Sequence, residues 1–270
     1  MKTAEMSVKN KSQQLAAARA ALAESGKSPR QIGRESKLKI ADWIYRWGYS
    51  SSSLVQDLLG KTSGGYAQKL VKQGWLKATK TESGAPAVFY TLSELGLQEA
   101  DHYAVELFHY PESDPYKVNQ QLIRHNLLTQ KFTVNALTSG AIGGFETERM
   151  FIREGDKSGI KHPDVVWIST SGLRIGIEME LSAKWHRDLD QFVHAVAKAL
   201  QSTEEKPAQF SRFVIVSDSP AIIERYQCAM KPGTTLNIWE KNERKHWSIK
   251  KTITVPGWLI EKIDFQLIGK

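Results

Sequence analysis

The sequence of 270 residues contains a single cysteine, Cys228. One cysteine excludes an internal disulfide and a multi-cysteine zinc site, and such scarcity is typical of the reducing cytoplasm. No apolar run approaches the ~18 residues that a membrane span needs. The polar start, MKTAEMSVKNKSQQ, also lacks the apolar segment of a signal peptide. These absences predict a cytoplasmic protein with no membrane insertion.

A glycine-rich phosphate loop is missing as well, because the glycine pairs near Gly64 and Gly140 are too short and wrongly placed for one. We therefore expect no use of ATP by the chain itself.

The basic residues, by contrast, are abundant and unevenly placed. Residues 1–80 hold 15 Lys and Arg against 5 Asp and Glu, whereas the other 190 hold 22 against 24. This basic N-terminal third indicates a nucleic-acid-binding domain, with a merely solvated basic surface as the alternative.

Residues 1–35 are predicted to be a basic helical extension and linker. SQQLAAARAALAESG has the composition of one helix that ends at Gly26, and KSPRQIGRESK is interpreted as a linker. We expect this segment to precede the first folded domain.

Residues 36–98 show the pattern of three short helices followed by a β-hairpin. SKLKIADWIYRWG places apolar residues at helical spacing, SSSSLVQDLLG offers a serine cap, and a third helix is expected over roughly 62–73. WLKATKTESGAPAVFYTLSELG then alternates like a hairpin with its turn in TESGAP. This order predicts a winged helix-turn-helix domain whose third helix recognises duplex DNA. Homodimerisation or another protein contact through this domain is the alternative.

The candidate DNA contacts lie on and around the third helix and on the hairpin. Lysines there can neutralise phosphates, whereas Ser63, Tyr66 and Gln68 can reach base edges. The candidate phosphate contacts are Lys61, Lys69, Lys72, Lys77 and Lys80.

Residues 99–116 have two prolines and no clean period, which indicates a connector, and residues 117–270 form a second predicted domain. Its pattern gives a long helix, a strand in GGFETERMFIREG, a hairpin, a helix, a strand, a helix and a strand in TTLNIWE. That order predicts an α/β domain with a mixed sheet flanked by helices, and an α+β chain as a whole. The basic, aromatic end of the chain is expected to form an edge strand, a DNA-facing rim or a solvated surface.

The hairpin HPDVVWISTSGLRIGIEMEL carries three carboxylates. If Gly172 takes the left-handed position of a three-residue turn, Asp164 lies opposite Glu178. The strand period of two places Glu178 and Glu180 on one face with Arg174 and Gly176, whose missing side chain is expected to leave open space. The alternate residues are apolar and are expected to face a core.

Adjacent carboxylates repel one another unless a positive charge lies among them. The acids Asp164, Glu178 and Glu180 are therefore candidate ligands of Mg²⁺ or Mn²⁺, which prefer oxygen and also bind phosphate. Lys184, expected in the first turn of the next helix, is placed to orient water or to neutralise charge on a phosphate. The alternative is an ordinary solvated face of a sheet.

This arrangement resembles the site of PD-(D/E)XK nucleases, which have a restriction-endonuclease-like fold. Pro163 and Asp164 match its first element, Glu180 stands where the family has lysine, and Lys184 corresponds to a migrated lysine. The chain is more closely similar, over roughly residues 36–199, to the replication-relaxation proteins and MobC-type plasmid mobilisation relaxases. That resemblance implies metal-dependent nicking of a conjugative transfer origin, together with relaxosome accessory and coupling proteins as partners. A catalytically silent DNA-binding regulator of replication or transfer is the alternative.

Further candidates follow from the resemblance. It implies a functional residue on the long helix, where His125 lies, and an acid on the strand before the hairpin, where Glu148 lies and Glu146 is an alternative. His162 and His186 flank the motif. No closely spaced histidine pair of the HUH relaxase type is present, so water rather than Tyr116 or Tyr226 is the expected nucleophile.

Overall fold

The computed structural model describes residues 24, 26–62, 64–151, 161–204 and 206–269. Helices and strands follow one another throughout, so the chain has the mixed α/β composition that the sequence predicts. Within these ranges no helix has the length and apolarity that crossing a membrane would require.

The N-terminal module, residues 29–103, contains the predicted three helices and hairpin, followed by a helix that the sequence did not predict. Strands β1 and β2 are antiparallel, with Leu76 opposite Leu92 and Lys80 opposite Val88. Its elements are α1 (Pro29–Trp47), α2 (Ser52–Leu58), α3 (Tyr66–Lys72), β1 (Leu76–Lys80), β2 (Val88–Leu92) and α4 (Glu94–Tyr103).

Helix α1 begins before the predicted domain boundary at residue 36, so the predicted linker, residues 27–37, is wrong from Pro29 onward. Ser28 caps the helix, because its Oγ accepts from Gln31 N (3.3 Å) and its own N–H donates to Gln31 Oε1 (2.7 Å). Pro29 occupies the first helical position, where a missing N–H costs nothing. The helix predicted over residues 12–26 lies almost entirely outside the described residues.

Helix α3 is shorter than the predicted 62–73. It begins only at Tyr66, because Gly65 before it has φ = +93°, a left-handed conformation that glycine adopts readily. Ser63, one of the predicted base contacts, lies outside the described residues.

The predicted connector, 99–116, is a packed part of the fold. Helix α4 continues through its start and lies against α1. Buried Tyr110 donates from its hydroxyl to Gly48 O (2.5 Å) and accepts from Leu92 N (2.8 Å). The two prolines begin short 3₁₀ turns, Pro111–Ser113 and Pro115–Lys117, rather than an open linker. A third turn, Gln120–Leu122, leads into the next helix.

The sheet domain, residues 123–269, is built around a five-stranded mixed sheet in the order β3-β4-β5-β6-β9. The first three strands are antiparallel, and β5, β6 and β9 are parallel. Helix α5 covers one face, and α7 and α8 cover the other. The elements are α5 (Ile123–Thr138), β3 (Gly144–Thr147), α6 (Glu148–Phe151), β4 (Val165–Ile168), β5 (Arg174–Met179), α7 (His186–Leu200), β6 (Arg212–Ser217), α8 (Pro220–Ala229) and β9 (Ile263–Leu267).

The hairpin of β4 and β5 has the predicted register. Val165 pairs with Ile177 and Ile168 with Arg174, and Gly172 in the turn has φ = +82°. Ile177 and Met179 point into the core shared with α5, as the alternation predicts.

The strand arrangement of the sheet domain differs from the prediction at two points. TTLNIWE does not join the main sheet but forms a separate antiparallel hairpin of β7 (Thr235–Lys241) and β8 (Trp247–Thr254). The fifth strand of the main sheet, β9, comes from the last residues and forms its edge beside β6.

Strand β3 ends at Thr147 and is followed by the short helix α6. There Arg149 donates to Tyr45 O (3.1 Å) and pairs with the carboxylate of Glu112.

The N-terminal module and the sheet domain share one core. Trp43 of α1 lies 5.1 Å from the ring of Phe145 in β3. Gln130 of α5 is fully buried and bonds three groups of the module. Its Oε1 accepts from Trp43 Nε1 (3.0 Å) and Ser50 Oγ (2.9 Å), and its amide donates to Tyr49 O (2.9 Å).

Candidate active site

The three predicted carboxylates lie together at one end of the two central strands. Asp164 comes directly before β4, Glu178 lies in β5 and Glu180 directly follows it. The backbone N–H of Met179 donates to Asp164 Oδ2 (2.7 Å), which fixes this side chain against the next strand. Both glutamates are only 4 % exposed. A solvated sheet face, the alternative weighed from the sequence, is therefore wrong.

Two lysines balance these buried acids. Lys161 Nζ lies 2.8 Å from Glu178 Oε2. The ammonium of Lys184 contacts Glu180 and lies 3.8 Å from Glu178 Oε1. Lys184 was expected in the first turn of the next helix, but it lies in the loop before α7, which begins only at His186. The sequence reasoning missed Lys161, and the available signal was a lysine three residues before Asp164.

Glu178 has a perturbed acidity. Burial raises the pKa of its carboxyl, the negative charge of Asp164 raises it further, and Lys161 opposes both, which leaves the pKa at about 8. Burial lowers the pKa of Lys161, but Glu178 outweighs this effect and raises it. Glu178 therefore keeps its proton to a higher pH than an ordinary carboxyl group, and Lys161 keeps its positive charge.

His125 lies in the first turn of α5, and the structure brings it to the acids. Its Nε2 is 3.2 Å from Asp164 Oδ2 and 2.9 Å from Met179 O, and Nδ1 is 3.0 Å from Asn126 Oδ1. Burial lowers the pKa of His125, but the hydrogen bond and charge of Asp164, with the other two acceptors, raise it to about 9. Because every partner is an acceptor, the imidazolium form satisfies both ring nitrogens.

Gly176 does not leave the open space that the sequence suggested. It pairs with Phe213 of β6, and a Cβ on Gly176 would lie 2.6 Å from the phenylalanine ring. The glycine therefore accommodates a core aromatic residue beside the acids, and ligand space must be sought elsewhere.

The remaining candidates lie on α6, β3, α7 and the segment before β4. Glu148 was expected on a strand but begins the turn α6, and Glu146 of β3 pairs with Arg174 (2.7 Å). His186 begins α7 and is exposed, and His162 lies two residues before Asp164.

The two tyrosines that the sequence offered as possible nucleophiles differ in position. Tyr226 is fully buried, and its pKa is raised by burial and then by Glu180. Tyr116 is 92 % exposed. A buried phenol beside a carboxylate resists ionisation, so Tyr226 is poorly suited to attack a phosphate.

The fit of a divalent cation depends on these charges. No group of three or more His, Cys, Asp or Glu side chains in the described ranges is arranged to hold a metal ion. The donor chemistry at Asp164 and Glu178 nevertheless suits Mg²⁺ or Mn²⁺. Glu178 Oε2 lies 2.8 Å from Lys161 Nζ, so a cation at this oxygen would take the place of that ammonium group. Glu180 is the weakest candidate ligand, because Lys184 already engages it.

The predicted DNA contacts of the N-terminal module are not equivalent. Lys69, Lys72 and Lys80 are exposed. Lys77 instead donates to Ser113 O (2.6 Å), on the opposite face of β1 from Lys80. This bond holds Lys77 against the packed connector.

The aromatic and amide candidates on α3 also have partners within the module. Lys61 Nζ lies 3.7 Å from the centre of the Tyr66 ring, and burial and then Lys69 lower the pKa of Lys61. Gln68 Nε2 donates to Tyr90 of β2 (2.9 Å). Tyr66 and Gln68 therefore help to position α3 within the module.

Comparisons of this chain with protein-family models, with curated proteins and with solved structures find no match.

Proposed function

We propose that this chain is a DNA-binding, metal-dependent endonuclease of the relaxase type, which nicks a transfer origin to start plasmid mobilisation. On this proposal the N-terminal module is a winged helix-turn-helix, and the sheet domain is PD-(D/E)XK-like. The observation that supports it most is the buried acid cluster. Asp164 and Glu178 meet on adjacent strands with Lys161 2.8 Å from Glu178. Buried titratable groups with perturbed pKa values are typical of catalytic sites.

The chemistry on the proposal is phosphodiester hydrolysis. Asp164 and Glu178 would hold Mg²⁺ or Mn²⁺, which supplies a Lewis acid that polarises the phosphate and lowers the pKa of water. Lys161 and Lys184 would exchange their carboxylate partners for the phosphate oxygens and neutralise charge that develops there. His125, as an imidazolium, would act as a positioning residue that holds Asp164 in place.

Water is the proposed nucleophile. The raised pKa of buried Tyr226 disfavours the phenolate, and Tyr116 lies exposed on the turn before α5. Cleavage would therefore leave no covalent protein–DNA adduct. Denaturing gels of end-labelled DNA, run without protease treatment, would reveal one if it formed.

Target recognition is assigned to the N-terminal module. Its exposed lysines Lys69, Lys72 and Lys80 would neutralise phosphates of duplex DNA, with Lys61 at the edge of the same surface. Relaxosome accessory and coupling proteins are the partners that the resemblance implies.

The test is nicking of a supercoiled plasmid that carries the DNA flanking this gene, with Mg²⁺ or Mn²⁺. Asp164→Asn and Glu178→Gln should each lower the nicking rate at least ~100-fold, because each removes a charged ligand of the reaction site. Glu240→Gln is the matched control, since Glu240 lies exposed on β7 and pairs only with Lys250 among the described residues. Wild-type protein that binds the plasmid but never nicks it would contradict the proposal.

A DNA-binding regulator without cleavage is the second candidate, and one observation favours it. The ammonium groups of Lys161 and Lys184 already neutralise Glu178 and Glu180, as in a purely structural charge cluster. On that function Asp164→Asn and Glu178→Gln would change stability but no reaction, and DNA binding alone would carry the activity.

A further inference from the structure

A cavity of about 240 Å³ lies between the N-terminal module and the sheet domain, beside the acid cluster. The end of α1 and the start of α5 form its walls. Asp164, a candidate active-site residue, lines it as well. The residues that matter for its chemistry are Trp47, Tyr49, Lys117, Asn126 and Asp164.

This cavity contains hydrogen-bond donors that lack acceptors. Trp47 is 9 % exposed, and its indole Nε1 has no hydrogen-bond partner among the described residues. The buried hydroxyl of Tyr49 beside Asn126 likewise makes no hydrogen bond of normal geometry there. Asn126 Oδ1 is occupied by His125 Nδ1 (3.0 Å), so its amide group offers donors, one of them toward the Tyr49 hydroxyl. Buried donors without partners cost free energy, which a ligand rich in acceptors would recover.

The charges around the cavity are largely balanced. Arg46 pairs with Asp42 (2.9 Å), and Arg149 pairs with Glu112. Lys117 is exposed and has no ion pair within the described ranges. A site with aromatic walls, free N–H donors and little net charge fits a neutral heterocycle better than a phosphate.

A basic cleft adjoins this cavity on the other side of the acids. Its volume is about 770 Å³, and it is lined by Lys161, Lys184, His194 and Lys198. Burial lowers the pKa of His194, and the charges of Lys198 and Lys251 lower it further. Glu148 borders both the cleft and the cavity, so the two spaces are neighbours.

We propose that the cavity binds one unpaired nucleobase of a DNA strand whose phosphates lie in the basic cleft. This inference rests on the proposed function for the nature of the strand. The volume of 240 Å³ is below the ~300–1,000 Å³ of pockets for drug-sized ligands, so one base fits and a dinucleotide does not. The carbonyl and ring-nitrogen acceptors of a base match the Trp47, Tyr49 and Asn126 donors. An unpaired base enters at a lower cost than a paired one, so the substrate class is duplex DNA with a locally opened strand.

The test compares binding of two duplexes, identical except for one bulged thymidine, in a buffer with chelator so that no cleavage occurs. Wild-type protein should bind the bulged duplex ~5- to 10-fold more tightly, about the gain expected from one or two hydrogen bonds. Trp47→Phe replaces the indole by a smaller aromatic ring without an N–H, and it should abolish that preference. Tyr49→Phe, a second variant in case the first is unstable, should reduce it.

Trp167→Phe is the matched control, because its indole N–H already donates to Thr133 Oγ1 (3.1 Å). Both variants remove buried ring atoms and should lower thermal stability, but only Trp47→Phe should abolish the preference for the bulged duplex. Equal binding of both duplexes by wild type, or a full preference in both cavity variants, would overturn the assignment. Because no cleavage is measured, failure of plasmid nicking would refute the proposed function and leave this result standing.

Discussion

The basic residues of the N-terminal module and those of the sheet domain have opposite environments. Lys69 and Lys72 are exposed and have no carboxylate partner within the described residues, whereas Lys161 and Lys184 lie against buried glutamates. Solvated charges attract a polyanion over a long range and are screened by salt. Charges removed from water instead control the protonation and stability of their neighbours. The same residue type is therefore suited to attracting a polyanion in one region and to stabilising buried carboxylates in the other.

The largest expected effect comes from breaking the contact between the two regions. Gln130→Ala removes the buried side chain that bonds Trp43, Ser50 and Tyr49. We expect the free energy of unfolding to fall by roughly 3 kcal/mol, because several buried polar groups lose partners at once. Urea denaturation measures the change. Gln73→Ala, at the exposed end of α3, should cost under ~0.5 kcal/mol, and a similar loss in both variants would contradict the coupling.

The second prediction concerns pH and is specific to the sheet domain. The pKa of His125 is raised from about 6.5 to about 9 in the folded protein. Its contribution to stability is therefore fully present below about pH 6.5 and lost as the pH rises through about 9. We expect a loss of roughly 3 kcal/mol across this range, measured by denaturation with chelator present. His125→Asn should reduce this slope, while the carboxyl of Glu178, whose pKa is about 8, still contributes in the lower part of the window. A slope identical to that of wild type would refute the raised pKa of His125.

The third prediction concerns the exposed charges. Replacing Lys69 and Lys72 together by Ala should weaken duplex binding roughly tenfold and reduce the salt slope by about 1.8, since each phosphate contact contributes about 0.9. Stability should stay within ~0.5 kcal/mol of wild type. Fluorescence anisotropy over a salt series, with Lys206→Ala as an exposed control in the sheet domain, measures both quantities. Unchanged affinity and slope would remove α3 from the DNA surface.

The smallest expected effect separates two lysines of one strand. Lys77→Ala removes the bond to Ser113 O and should cost about 1 kcal/mol of stability with little change in salt slope. Lys80→Ala should do the reverse, with a slope reduced by about 0.9 and stability nearly unchanged. If Lys77→Ala proves to be the variant that alters the slope, the assignment of the two faces of β1 is inverted.

Local patterns predicted the elements that depend on neighbours in the sequence. The alternation of β5 and the turn at Gly172 gave the register that places Asp164 opposite Glu178. The capping box at Ser28 and Gln31 was also a local signal, but its basic surroundings were interpreted as a linker. The final strand β9 could not be predicted so easily, because it pairs with β6 across an intervening hairpin.

The surroundings of the acids depend on contacts that no local pattern contains. Gly176 was expected to leave space, but Phe213 arrives from the parallel neighbour β6, whose pairing with β5 is not local. Lys161 approaches Glu178 only because the hairpin folds back on itself. The donors of Trp47 and Tyr49 lack partners only once α1 rests against α5. The sequence could therefore supply the carboxylates and miss the groups that modulate them.

The buried side chain of Gln130 has one more consequence. Because it ties α5 to both α1 and the segment after it, it fixes the position of the N-terminal module relative to the acid cluster. A DNA duplex bound by the exposed lysines of the module would therefore lie at a fixed distance from the acid cluster. On the proposed function, the nicked phosphate would then be chosen by its distance from the bound sequence, counted in base pairs, rather than by the bases beside it.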